Sequence, residues 1–161
     1  MKKINGNEVS SLIKKNDNII IQEFLKDNFT ACKGRHFRFV SSFDGEFICL
    51  TELLHNDSIK SNGSNGGTDI NITHKYLTNS LNFSSIENKL LRKIIKNILV
   101  IHKNNFKKIF SIGWDLMFHN KNIYVLEGNL IHVVIYYKSG TKLDYDRYFN
   151  KLDEFLKIHN L

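Results

Sequence analysis

The sequence predicts an α+β fold: a mostly antiparallel sheet with helices packed against one face. Three observations predict it. Four short runs have strand character, His36 to Phe43, Glu46 to Leu54, Ile109 to Phe118 and Ile123 to Asn129. They come in two pairs joined by turn residues, Asp44-Gly45 and His119-Asn120-Lys121-Asn122, and connections this short join only antiparallel strands. Two longer segments, one opening at Ser84 and one spanning Asp144 to Ile158, carry apolar residues at helical spacing.

Taken in order, residues 7 to 16 form a short helix with Val9, Leu12 and Ile13 on one side, and Asn16-Asp17-Asn18 is a turn. Ile19-Ile20-Ile21 starts a buried strand that runs to about Leu25. Ser58 to Thr68 is a loop, because Ser61-Asn62-Gly63-Ser64-Asn65-Gly66-Gly67 has the composition of a linker. Ser84-Ser85-Ile86-Glu87 matches a capping box and opens a helix that ends near Lys103. Ile86, Leu90, Leu91, Ile94, Ile95, Ile98 and Leu99 give that helix one broad apolar face. Ile131 to Tyr137 is a further strand, and the closing helix turns Tyr145, Tyr148, Phe149, Leu152, Phe155 and Leu156 inward. No proline is present, so every turn is made by Gly, Asn, Asp or Ser.

The chain has 161 residues, the size of one ordinary domain, and 42% hydrophobic residues suffice for a core. No apolar run is long enough for a membrane span, and the charged N-terminus lacks the apolar stretch of a signal peptide. Cys32 and Cys49 lack metal-binding or redox spacing and read as reduced thiols of a cytoplasmic protein. The net charge of +7 has two readings, a bias towards Lys in the composition or attraction of an anionic partner. That partner could be a nucleotide or a nucleic acid; only four of the 23 basic residues are Arg, and no basic–aromatic ladder appears, which weakens the nucleic-acid reading. The seven histidines are scattered, without metal-ligand spacing; His36 stands out, beside Arg35 and Arg38.

The chemistry concentrates in the second hairpin. Alternation of side chains puts Trp114, Leu116 and Phe118, with Tyr124 and Leu126, on an apolar face that belongs to the core. Asp115 and Met117, with Val125, Glu127 and Asn129, fall on the other face. A turn near Asn120-Lys121-Asn122 sets Asp115 opposite Glu127 or one register step away, and Cβ atoms directly opposed lie ~4.5–5.5 Å apart. Carboxylates that close repel unless a positive charge joins them. Two carboxylates and the Asn129 amide oxygen are hard ligands suited to Mg²⁺, and Met117 with Val125 would floor a purine ring. A solvated hairpin face with two incidental acids is the plainer reading, but acids amid so apolar a pair of strands are costly without a partner.

Gly113-Trp114-Asp115 followed by Leu126-Glu127-Gly128-Asn129 resembles the ATP-grasp superfamily, most closely its members associated with sugar transfer and polysaccharide clusters. The resemblance implies the C-terminal lobe of that fold, with Asp115, Glu127 and Asn129 holding Mg²⁺ against ATP phosphates. Ile20 to Leu25 resembles the hinge strand between the ATP lobes, which implies that Gln22, Glu23 and Leu25 meet adenine and ribose. Gly34 to Phe39 resembles the next strand, which implies that Arg38 faces phosphate or substrate and adds positive charge to the reaction. Asn62 to Gly67 is similar to the family's N-x-x-x-G-G loop. The implied activity is ligase-type: ATP converts a carboxylate to an acylphosphate that a nucleophile then opens. The family's earlier lobe, with its lysine, has no match in Lys2, Lys3, Lys14 or Lys15, so a separate polypeptide is expected to supply it. Two other readings stay open, a non-catalytic remnant or interaction module and a small basic nucleic-acid binder.

Overall fold

A computed structural model of the chain describes residues 36–54, 68–119, 122–130 and 142–161. The expected 7–16 helix, the 19–25 strand with Gln22, Glu23 and Leu25, the 61–67 glycine loop, Cys32 and the 131–137 strand lie outside the described residues. Within them the fold is α+β. Strands β1 (His36–Ser42), β2 (Phe47–Leu54), β3 (Thr68–Asn71), β4 (Ser111–His119) and β5 (Asn122–Asn129) form one sheet in the order β3-β2-β1-β4-β5. Every pairing is antiparallel. The helices are α1 (Thr73–Leu77), α2 (Ser85–Asn105) and α3 (Lys142–His159).

The first hairpin turns where the sequence places it. Gly45 has φ +80°, a left-handed conformation that glycine takes without strain, and its N–H donates to the Ser42 carbonyl at 2.9 Å. A Cβ at Gly45 would also meet the Leu99 carbonyl oxygen at 2.8 Å, so the turn rests directly on α2. The Ser84 capping box forms: Ser84 Oγ accepts from Glu87 N–H at 3.2 Å, and Glu87 Oε2 accepts from Ser84 N–H at 2.9 Å.

Helix α2 packs over the face of β1 that carries Phe37 and Phe39, both buried completely, together with Leu116 and Phe118 of β4. Its buried stripe is Glu87, Leu91, Ile95, Ile98 and His102. The expected stripe was centred too near Ile86, which is 61% exposed; the helix is rotated so that Glu87 caps its start from within, and His102 enters the core. Helix α1 and the β3 strand were not expected. Thr68, counted with the loop, opens β3, and Tyr76 of α1 stacks on Phe47 with Arg92 of α2 over its ring at 4.4 Å.

Helix α3 departs from the expectation of helices on one face. Its Tyr148 packs on a second cluster, Val40, Ile48 and Cys49, on the opposite side of the sheet from α2. Lys151 of α3 binds Asp44 of the first turn at 2.5 Å and Glu46 at 3.2 Å, which draws the helix across that end of the sheet. Phe155 is buried against Phe43 and Phe110 as expected of an inward residue, whereas Phe149 is 47% exposed. An amphipathic helix can satisfy either face of an antiparallel sheet, and its own sequence does not say which.

His102 has no exposed surface and lies in a directed chain of hydrogen bonds. The Ile109 carbonyl can only accept, so Nε2 donates to it at 3.0 Å. Nδ1 is therefore the acceptor and takes the Ser41 hydroxyl at 2.6 Å, while Trp114 Nε1 donates to Ser41 Oγ at 2.7 Å. Burial accordingly holds the His102 pKa below its ordinary value, although the Ile109 bond and the charge of Asp44 act the other way. Ser41→Ala strips partners from both Trp114 and His102 at once. We expect it to lower the unfolding free energy by about 2–4 kcal/mol in urea titration, with the slope unchanged.

Candidate functional site

The candidate site is the sheet face opposite α2, and its residues follow from register. Antiparallel partners share a face, so the pairings define rows across the sheet. One row runs Asn71, Thr51, Arg38, Asp115 and Glu127. The row beside it runs Asp69, Leu53, His36, Met117 and Tyr124. On the other side, Cys49, Val40, Gly113 and Asn129 complete the pattern under and beside α3.

The expected trio shares this face. Asp115 and Glu127 are direct register partners, and Asn129 Nδ2 donates to Glu127 Oε1 at 3.0 Å. Asp115 is buried at 6% exposure, Asn129 is half-buried and Glu127 is exposed. Gly128 between them faces Trp114 on the core side. A Cβ there would come within 3.1 Å of the indole ring, so the glycine of the Glu-Gly-Asn stretch has a packing reason of its own.

Arg38, expected to face phosphate or substrate, lies on this face, where Asp115 engages its guanidinium in a two-pronged bridge. Nε donates to Oδ1 and Nη2 to Oδ2, both at 2.6 Å. The pair sits at adjacent positions of β1 and β4, so register alone delivers it. Among the described residues, no three His, Cys, Asp or Glu side chains converge as a metal cluster; the trio contains two carboxylates and one amide.

The bulge in β5 corrects the face of two residues. The register passes from Asp115↔Glu127 to Leu116↔Val125, so Leu126 is an extra residue on β5. Beyond it, Tyr124 lies across from Met117 on the site face, and Val125 lies across from Leu116. The expectation had Tyr124 and Leu126 in the core and Val125 beside Met117; Ile123 takes the core place instead, packed with Phe118. Met117 is buried in the row with His36, and Tyr124 rather than Val125 is its neighbour.

Two titratable residues belong to the face without having been assigned a role in it. His36 has its pKa pushed down to about 4, first by burial and then by the charge of Arg38, with Glu127 opposing. Asp69 has its pKa raised by burial, against the pull of Arg38, and its Oδ1 is buried with no hydrogen-bond partner among the described residues. Sequence reasoning missed Asp69 because it follows a run of glycines and belongs to a four-residue strand. The thiol of Cys49 is pushed up to about 12 by burial beneath α3, which removes it as a nucleophile.

No protein-family model matches the chain, and no curated protein matches it. No described helix is long and apolar enough to cross a membrane.

His36 links the site to pH. Its folded pKa of about 4 lies below the unfolded value of 6.5, so the unfolded chain takes up the proton first as pH falls. The stability it contributes is complete above pH 6.5 and drains away towards pH 4. We expect this group to account for about 1–3 kcal/mol of lost stability between pH 7 and pH 4. Urea unfolding of the wild type and of His36→Gln across that range checks it, with the variant showing the flatter profile.

Proposed function

We propose that this chain carries the magnesium- and nucleotide-binding portion of an ATP-grasp ligase-type protein, completed by the other lobe of that fold. The observation that carries the reading is the convergence of Asp115, Glu127 and Asn129 on one face, two in register and two joined by a hydrogen bond. The resemblance of the hairpin to the family adds to it.

The donor set fits the ion: two carboxylates and an amide are hard oxygen ligands for Mg²⁺, and the Arg38 guanidinium on Asp115 marks the place as one that already holds a positive charge. Held by these residues, Mg²⁺ would supply positive charge for phosphoryl transfer. The chain's own residues would do the rest. Asp115 and Glu127 anchor the ion, and Asn129 steadies Glu127 through its amide nitrogen. Arg38 offers a planar donor fork to phosphate oxygens when Asp115 no longer takes it. Met117 and Tyr124 give the neighbouring row an apolar and aromatic surface for a base. Gln22, Glu23 and Leu25 keep their proposed role at adenine and ribose.

A second reading is a non-catalytic interaction module. The closed Arg38–Asp115 bridge favours it, because both Asp115 oxygens are already taken. It expects no ATP turnover even with the complementary lobe present.

Calorimetric titration of Mg²⁺-ATP into the pure chain tests the proposal. Weak binding is expected, and Glu127→Ala should abolish it. Equal binding by the variant and the wild type removes the assignment.

A further inference from the structure

Asp115 cannot hold Mg²⁺ with both oxygens while both are held by Arg38. That conflict is built into the sheet: the two residues are register partners on adjacent strands, and their bridge is short at both prongs. A two-pronged guanidinium–carboxylate pair is among the stronger interactions available to a side chain, and Asp115 is shielded from water. The same face holds a second acid for Arg38. Asp69 lies in the neighbouring row, two strands from β1 and two residues along, which is a diagonal span of about 12 Å that an extended arginine and an aspartate can bridge. Its Oδ1 is buried and lacks a hydrogen-bond partner among the described residues, and the charge of Arg38 acts to keep it ionised.

We propose that Arg38 is an internal competitor for the metal, held by Asp115 and displaced towards Asp69 when Mg²⁺ binds there. This rests on the reading of Asp115 and Glu127 as metal ligands and adds a regulation of that same site. Arg38 opposes loading in two ways. It occupies the ligand, and its charge repels the incoming cation. Asp69 favours loading, because it receives the displaced guanidinium and becomes paired. Nucleotide then helps the exchange, since its phosphates offer the freed fork further oxygens. The site so built would load metal and nucleotide together far better than metal alone.

The test is calorimetric titration of MgCl₂, without nucleotide, into the full chain and its variants. Arg38→Gln should bind Mg²⁺ about tenfold or more tightly than wild type, the effect of removing one charged hydrogen-bonding competitor. Arg38→Lys keeps the charge but loses the fork and should fall between the two. Asp69→Asn leaves the Arg38–Asp115 bridge untouched and should bind Mg²⁺ several-fold more weakly. Injury to the fold lowers affinity, so a rise is a result that damage does not produce. Should Arg38→Gln fail to fold, Arg38→Lys and Asp69→Asn still decide the matter. Affinity that depends on Asp115 and Glu127 (lost in Asp115→Asn and Glu127→Gln) but is unchanged or lower in both Arg38 variants overturns the competitor and leaves the metal site standing. Absence of Mg²⁺ binding in the wild type and every variant overturns both. Binding that appears only when Arg38 is replaced supports the competitor in its strongest form.

Discussion

Asp115 lies in the interior of a five-stranded sheet, almost out of contact with water, and Arg38 of the adjoining strand neutralises it. Much of the site face is arranged around that pair. A buried carboxylate without a partner is costly, so the Arg38 bridge stabilises the sheet at this position. Removing one member of a fully buried pair costs about 3–5 kcal/mol. The Arg38 side chain is 30% exposed, which places this pair below that range and leaves the guanidinium room to move.

β1 serves both faces of the molecule. Its Phe37, Phe39 and Ser41 turn towards α2, and its His36, Arg38 and Val40 turn the other way. On the α2 side, the hydrogen bonds from Trp114 through Ser41 to His102 tie β4, β1 and α2 together across the core. The charged face is therefore mounted on strands whose backs are fixed by a fully satisfied polar chain within an apolar core. Satisfied polar networks of this kind specify one arrangement where apolar contacts alone would tolerate several. Helix α3 closes the end of the site face near Val40 and Cys49, and Asn71 Nδ2 donates to its Asp144 at 2.7 Å.

The face carries charge of both signs at close range, and this shapes how each group behaves. Arg38 lowers the pKa of His36 and pulls that of Asp69 down against burial, while Glu127 acts on His36 in the opposite sense. Arg38 shares this face with Asp115, Glu127 and Asp69, so its guanidinium has more than one acid to pair with. That is the physical basis for reading Arg38 as mobile between partners while the strands beneath it stay put.

The second hairpin shows what local sequence determined. Turn chemistry and alternation placed Asp115, Glu127 and Asn129 on one side within a register step, and composition marked Trp114, Leu116 and Phe118 as core. The capping box at Ser84 and the turn at Gly45 were legible for the same reason: each depends on residues within three or four positions of one another. Tertiary structure decided the rest. The extra residue at Leu126 moved Tyr124 to the site face, because a bulge answers to the partner strand and a period of two cannot register it. Arg38 met Asp115, Asp69 joined their face, and α3 crossed to the side opposite α2 because strand order and helix placement arise from contacts far apart in the chain. Short-range chemistry wrote the elements and the trio of oxygen-bearing side chains into the sequence; only the assembled sheet determined which cation stands beside them.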